Sequence, residues 1–563
     1  MAAIAVIIAD LQRTRLGLPS RLNERLGDRT VLAHTVGRAA KVRRVESVVI
    51  VHPTGQDMQP LLEGCAFDKP VHTFADADGL TDRYSAMRIA SRKWALPNWR
   101  GGLGGALCYD ELLPAAPILA AMREHGATSA LLAGGDWPFL DAELCSRVLA
   151  LNLEHPEAMR MTFTQAPPGL TGVAVSAELL EQMAGTLATF GQVIAYDPKR
   201  PQADPIGRDV CVQIAPAIRN CARRFIYDTP RSIAMLRAVA ARFDDEALVQ
   251  ADAQAIVNAF HAMASNGQAD AALLGFADMP QQVTLELNTR RLANGPIVPQ
   301  HHIDLSRDPI PTQTAMRIVQ QLGEAGDVAL TLGGMGDPLL HEDFADIIVA
   351  AHMAGVFGIA VETDLLVEPD VFLRLLDLPV DVVTVRLNAD CAATYRRVMG
   401  VDRFGDVIKA IETLLNERNR RSADATNTAV QPGVPWIVPR MIKTADNVGD
   451  LESFFDRWIY YTRHAVIESP TDGGGVIADQ SVLPLAPPRR YPCRQITRRM
   501  TILCDGSVAQ CDQDWFGRAA AGNAGDQPVA QLWHALQPLR RQHAQGAWEA
   551  SPLCGNCRQW YRA

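Results

Sequence analysis

The residues of this chain best spaced for metal chemistry are four cysteines: Cys493, Cys511, and the pair Cys554 and Cys557 in C-G-N-C. A C-x-x-C turn points two thiolates at one ion or cluster. The remote pair can join them only if the chain doubles back, and Asp505-Gly506, between two short apolar runs, is a hairpin signal in the right place. Four thiolates suit a structural zinc ion or an iron–sulfur cluster, and softness alone does not separate the two. Cys504, on the run before the turn, is not needed by the spacing and reads as an ordinary buried thiol.

A second candidate site lies near the start of the chain. An apolar run over residues 4–9 feeds a loop carrying Arg13, Arg15 and Arg21, and Leu26-Gly27-Asp28-Arg29 then leads into a helical pattern from Thr30 to Ala40. Guanidinium groups and helix N-terminal amides at the carboxyl end of the first strand of a parallel sheet meet phosphate oxygens, so a triphosphate would sit here. The apolar run Ala130 to Ala133 enters Gly134-Gly135-Asp136-Trp137-Pro138, leaving one carboxylate at a strand end. Gly101 to Gly105, followed by Tyr109-Asp110-Glu111, is a candidate lid or else a turn-rich surface loop.

The order T-R-L, P-x-R, L-G and G-D-x-P in this region resembles the cytidylyltransferase family that activates sugars for surface polysaccharides. The resemblance implies that Asp136 holds Mg2+ and that Asp228, in Asp228-Thr229-Pro230, is a second ligand. It also implies that Arg15 and Arg21 meet the triphosphate, Arg21 standing where the family usually has Lys. The implied reaction is an in-line attack on the α-phosphate of a nucleoside triphosphate, CTP foremost, by a sugar or sugar acid.

Further along, Gly333-Gly334-Met335-Gly336-Asp337-Pro338 stands directly after a strand pattern and before a helix. This resembles the G-G-E-P motif of radical-SAM barrels, which implies that Gly334, Gly336 and Asp337 surround S-adenosylmethionine, with Asp337 meeting its amino group. Val283 to Arg290 is similar to the family's first strand. Where that family carries C-x3-C-x2-C, this chain has Arg290-Arg291-Leu292-Ala293-Asn294-Gly295, and Cys391 is the only cysteine in residues 272–492. Radical chemistry needs an iron with an open site, so reductive cleavage of S-adenosylmethionine is not expected. His301 and His302, in a polar loop, read as solvated rather than as substitute ligands.

The spacing C-x12-G-x4-C with a late C-x-x-C resembles the SPASM domain, which implies a [4Fe-4S] cluster on Cys493, Cys511, Cys554 and Cys557. The full family pattern continues with more cysteines, so one cluster fits here. Taken together, the order of motifs resembles spiro-SPASM-type proteins: a sugar nucleotidyltransferase-like domain, a degenerate radical-SAM barrel and a truncated SPASM domain.

These groups need α/β scaffolds to position them. The 563 residues are too many for one core. The expected fold class is α/β: a Rossmann-like nucleotidyltransferase sheet over 1–245, a helical connector over 246–278, a partial (β/α) radical-SAM-like barrel over 279–480, and a cysteine-rich tail over 485–563. The barrel strands are expected at Gln282 to Leu287, Val328 to Leu332, Gly358 to Glu362, Val380 to Arg386 and Val434 to Val438, and the polar run Asn416 to Pro435 as a mobile surface loop. A formal charge of −9 and no basic tract argue against nucleic acid as a partner. There is no apolar run long enough to span a membrane and no basic lead-in to the opening apolar run, so the expected compartment is the reducing cytoplasm. Two function classes follow: a Mg2+-dependent nucleotidyltransferase with an inactive barrel and a clustered tail, or a binding and assembly protein that recognises a nucleotide sugar, a protein or a peptide. A third, an active radical-SAM maturase, is opposed by the missing triad.

Overall fold

The computed structural model describes residues 2–77, 80, 85–96, 113–155, 159–184, 210–263, 278–423, 433–462, 464–482 and 486–561. The candidate lid at Gly101 to Glu111 lies outside them. The chain forms two compact units, Met1–Phe276 and Ala277–Ala563.

The first unit is built on a strand that is apolar along its whole length, β1 (Ala3–Ile8), because both of its faces are covered. Ile4 and Val6 join one core cluster, and Ala3, Ala5 and Ile7 join another. A small antiparallel hairpin of β2 (Arg25–Leu26) and β3 (Arg29–Thr30) follows. The remaining strands are β4 (Ser47–Pro53), β5 (Val71–Asp76), β6 (Ser129–Gly134), β7 (Met161–Thr164), β8 (Val173–Ser176) and β9 (Cys211–Val212). With β1 they form a seven-stranded sheet in the order β5-β4-β1-β6-β8-β7-β9. Pairing is parallel from β5 to β6 and antiparallel where β8 meets β6 and β7. The helix Val31–Ala40 starts where the sequence marks it, with Thr30 Oγ1 accepting from Ala33 N at 3.1 Å. The stretch expected as a connector is instead core as far as it is described. Leu248, Ile256, Val257 and Phe260 of the helices Asp245–Gln250 and Ala253–Met263 are buried against the sheet, and the buried Arg38 guanidinium donates to Leu248 O and Ala251 O at 2.6 and 2.7 Å.

In the second unit six strands alternate with helices: β10 (Gln282–Leu285), β11 (Ala329–Leu332), β12 (Gly358–Thr363), β13 (Val382–Arg386), β14 (Trp436–Ile442) and β15 (Val466–Glu468). Each pairs in parallel with the next. The cysteine-bearing tail supplies β16 (Arg499–Ile502), parallel to β10, and β17 (Val508–Ala509), antiparallel to β16. The sheet order is therefore β15-β14-β13-β12-β11-β10-β16-β17, and the tail shares the barrel's sheet and core. The helix Phe404–Ala423 runs into the polar run expected as a mobile loop from Asn416, so the first part of that run is helical, with Glu417 pairing to both Arg420 and Arg421.

Candidate functional site

The loop after β1 is a rigid hook. Thr14 Oγ1 accepts from Leu16 N and Leu18 N at 3.2 Å each, Ser20 N donates to Gln12 O at 3.1 Å, and Gly17 takes the left-handed φ of +79° that closes the bend. It holds Arg13, Arg15 and Arg21 at a cavity of about 550 Å³. Two arginines that carry no sequence motif line the same cavity: Arg88 and Arg92, one turn apart on the helix Ser85–Ala95. Arg92 Nη1 donates to Arg15 O at 3.1 Å, tying helix to hook. Glu24 fixes Arg21 at 2.7 Å and is itself held by Tyr227 Oη at 2.9 Å and Arg237 at 2.7 Å.

Asp136 closes the cavity at the end of β6. A Cβ on Gly134 would come within 2.6 Å of Asp136 Oδ1, so a glycine there leaves room for the carboxylate. Oδ1 is buried and accepts no hydrogen bond. Burial first, then the neighbouring Asp228, push its carboxyl up to about 6, against the pull of Arg15 and Arg224. Asp228 is differently committed: each of its oxygens accepts from one nitrogen of the Arg224 guanidinium. Thr229 next to it caps the helix Pro230–Ala240 through Ser232 N at 3.2 Å, so D-T-P is also a helix start. Of the two carboxylates expected to hold Mg2+, Asp136 has an oxygen to offer and Asp228 is already neutralised by a guanidinium. The described residues do not fit a two-carboxylate magnesium site.

At the carboxyl ends of β10 to β14 the barrel interior is filled by the chain's own charges. Glu286 accepts from Arg307 at 2.9 Å, from Met335 N at 2.9 Å and from Cys504 N at 3.3 Å. Arg386 donates to Gly334 O and Gly336 O at 3.0 Å each. Burial would raise Glu362, yet Arg440 and Arg386 beside it hold its carboxyl below the usual range. Asp337, placed by resemblance against an amino group, spends its carboxylate on Leu339 N at 3.0 Å and on Thr363 Oγ1 and Asp364 N at 2.8 Å each. The Gly334 and Gly336 carbonyls and the Asp337 carboxylate are thus bound by the chain's own groups at the barrel rim. The loop where a cysteine triad belongs packs closely: Asn294 N donates to Met399 O at 3.0 Å, and a Cβ on Gly295 would lie 2.2 Å from Val398 O. His301 and His302 bond to Asn294 O and Pro296 O at 3.0 and 2.7 Å.

The four expected cysteines do come together. Cys493, Cys511, Cys554 and Cys557 line one pocket, while Cys504 belongs to the barrel core. Each thiol is pushed up by burial, Cys493 to about 11. Amide donors face the sulfurs: Gln559 N lies 3.3 Å from Cys557 Sγ, and Gln510 Nε2 lies 3.1 Å from Cys554 Sγ. Among the described residues no three His, Cys, Asp or Glu side chains are disposed to hold a metal ion, these cysteines included. They line one shared pocket, and four thiolates there suit an iron–sulfur cluster or a structural zinc ion alike.

Residues 299–437 match the model of the Radical SAM superfamily, and residues 493–558 that of SPASM, an iron-sulfur cluster-binding domain. The first match begins after the Arg290 to Gly295 loop. An uncharacterized protein of Treponema pallidum (strain Nichols) is 27% identical over 267 residues, covering 45% of this chain and 70% of that protein. The crystal structure of Streptococcus suis SuiB bound to precursor peptide SuiA covers 51% of this chain and 71% of its own, at 12% identity and a TM-score of 0.39. A cytidylyltransferase from Leptospira borgpetersenii serovar Hardjo-bovis (strain JB197) covers 48% of this chain and 96% of its own, at 15% identity and a TM-score of 0.33. No described helix is long and apolar enough to cross a membrane. The second unit of this chain is therefore similar to the Radical SAM superfamily over residues 299–437 and, after that stretch, to the iron-sulfur cluster-binding domain SPASM over residues 493–558.

Proposed function

We propose that this is a two-part binding protein: its first unit recognises the phosphates of a nucleoside triphosphate or nucleotide sugar, and its second holds one [4Fe-4S] cluster beside a barrel that does not cleave S-adenosylmethionine. The observation that carries the first half is the cavity lined by Arg13, Arg15, Arg21, Arg88 and Arg92 together with Asp136. The Arg224–Asp228 pair favours binding over transfer, since it puts a fixed positive charge where a divalent ion would bridge two carboxylates. The finer reading, a CTP-type nucleotidyltransferase of surface-glycan or sugar-acid biosynthesis, requires pyrophosphate release from CTP with Mg2+ and a sugar-acid acceptor. Calorimetric titration of the full chain with CTP, ATP and GTP, run beside a pyrophosphate assay, tests both. Binding without pyrophosphate supports the proposal, and acceptor-dependent pyrophosphate replaces it with the transferase.

A second reading is favoured by the two family matches. The second unit would be a radical SAM/SPASM maturase acting on a peptide, with cluster ligands outside the Arg290 to Gly295 loop. The packing of that loop against Val398 and Met399 opposes it.

A further inference from the structure

The two ring nitrogens of His543 stand in different surroundings. The backbone amide of Cys493 donates to Nδ1 at 3.3 Å. A ring nitrogen that accepts carries no proton, so the ring is neutral and its proton sits on Nε2. Nε2 is buried and meets no acceptor in the protein, in a residue only 1% exposed that lines the pocket of the four cysteines. The ring is not free to turn elsewhere: it lies on the helix Gln537–Ala544, edge-on to Trp548 with ring centroids 5.3 Å apart, and Arg490 covers Trp548 at 5.1 Å.

One neighbour repeats the pattern. Gln513, 3% exposed, lines the same pocket with an Nε2 that meets no acceptor in the protein. Native interiors rarely leave such groups unmet. Two unmet donors, His543 Nε2 and Gln513 Nε2, call for a group with hydrogen-bond acceptors as well as sites for four thiolates.

We propose that His543 donates a hydrogen bond through Nε2–H to a sulfur of the cluster held by Cys493, Cys511, Cys554 and Cys557, and so raises its reduction potential. The proposal rests on the reading that the pocket holds an iron–sulfur cluster. Reduction adds negative charge that spreads onto the cluster sulfurs, and a fixed donor favours the more negative state. His543 is a positioning and tuning residue, not a ligand.

The test uses the full chain reconstituted anaerobically with iron and sulfide, as wild type, His543→Gln and His543→Phe. Glutamine keeps an amide donor, and phenylalanine keeps the ring shape without one. Expected are equal iron and sulfide contents in all three, a midpoint potential that is lowest for His543→Phe, and an intermediate one for His543→Gln. Equal potentials at equal iron content overturn the proposal, as does loss of iron from both variants, which would make His543 a prop for the fold. If His543→Phe alone loses iron, His543→Leu takes its place as the variant without a donor: a lowered potential at full iron content supports the proposal, and an unchanged potential or loss of iron there too overturns it. Wild-type protein that takes up zinc and no iron is recognised before any potential is measured; it ends the cluster reading and this proposal with it.

Discussion

Arg291 and Asp364 form a two-pronged ion pair inside the barrel mouth, with Nε 2.8 Å from Oδ2 and Nη2 on the other oxygen, in the loop where a radical-SAM cluster would be ligated. Asp364 is 1% exposed, and its backbone amide is bound by the buried Asp337. Removing the guanidinium leaves two buried carboxylates with Arg386 alone beside them, its Nη1 4.0 Å from Asp364 Oδ1. Arg291→Ala should destabilise the second unit by about 3 to 5 kcal/mol, read as a shift of its denaturant midpoint. Arg291→Met combined with Asp364→Leu should recover most of that loss, because the uncompensated charge goes with it. A single variant that unfolds with wild type would show that the pair does not support the barrel.

Incubation of reconstituted protein with S-adenosylmethionine and a strong reductant should give no 5′-deoxyadenosine above a protein-free control. The basis is chemical: Arg290 to Gly295 offers no thiolate to an iron, and Asp337 has its oxygens bonded within the chain. Detection of 5′-deoxyadenosine by chromatography would move the assignment to the maturase reading.

Asp136 makes the first unit sensitive to pH. Its carboxyl is raised from the ordinary 3.8 to about 6, so the folded chain holds that proton more tightly than the unfolded one. The sign follows: stability is highest below the ordinary value, falls as pH rises through the window between the two, and stays at the lower level above about 6. Asp136→Asn should therefore stabilise the first unit at pH 7 by roughly 1 to 3 kcal/mol and change little at pH 4, measured by thermal unfolding across pH. Without divalent ions, triphosphate binding by wild type should tighten below pH 6 more than that of Asp136→Asn. Equal pH profiles would remove Asp136 from the site.

Cys493→Ala, Cys511→Ala, Cys554→Ala and Cys557→Ala should each lower the iron content of anaerobically prepared protein, while Cys504→Ala should not. Loss of the cluster should also loosen the small apolar group of Cys493, Ile496 and Trp560 outside the sheet's core, because ligand binding contributes to folding. Iron and zinc counts by elemental analysis decide the outcome.

Much of this was legible in the chain, for reasons that differ by element. β1 and β6 announce themselves because strands buried on both faces are apolar at every position, and Thr30 announces a helix because its hydroxyl caps the first turn. The cysteine set was legible from spacing. Arg88 and Arg92 were not, since one turn apart on a helix two arginines look like a solvated face until a loop folds over them. Arg224 escaped notice because it lies in an irregular segment, where a spacing of four residues from Asp228 predicts no contact. His543 belongs to no motif, and only its burial beside Cys493 gives it meaning.

The pairing of β10 with β16 has a consequence for how the second unit is made. Gln282 and Arg499 are 217 residues apart, yet Arg499 Nε bonds Gln282 Oε1 at 2.7 Å and the strands that carry them lie side by side. As the ribosome delivers the chain, β10 to β15 can stack in order of synthesis, but one edge of β10 stays bare until residues 499–502 emerge. Cys554 and Cys557 emerge later still. Completion of the sheet and of the thiolate set both wait for these later segments, so a chain cut short of residue 499 exposes an unpaired strand edge and an incomplete thiolate set together.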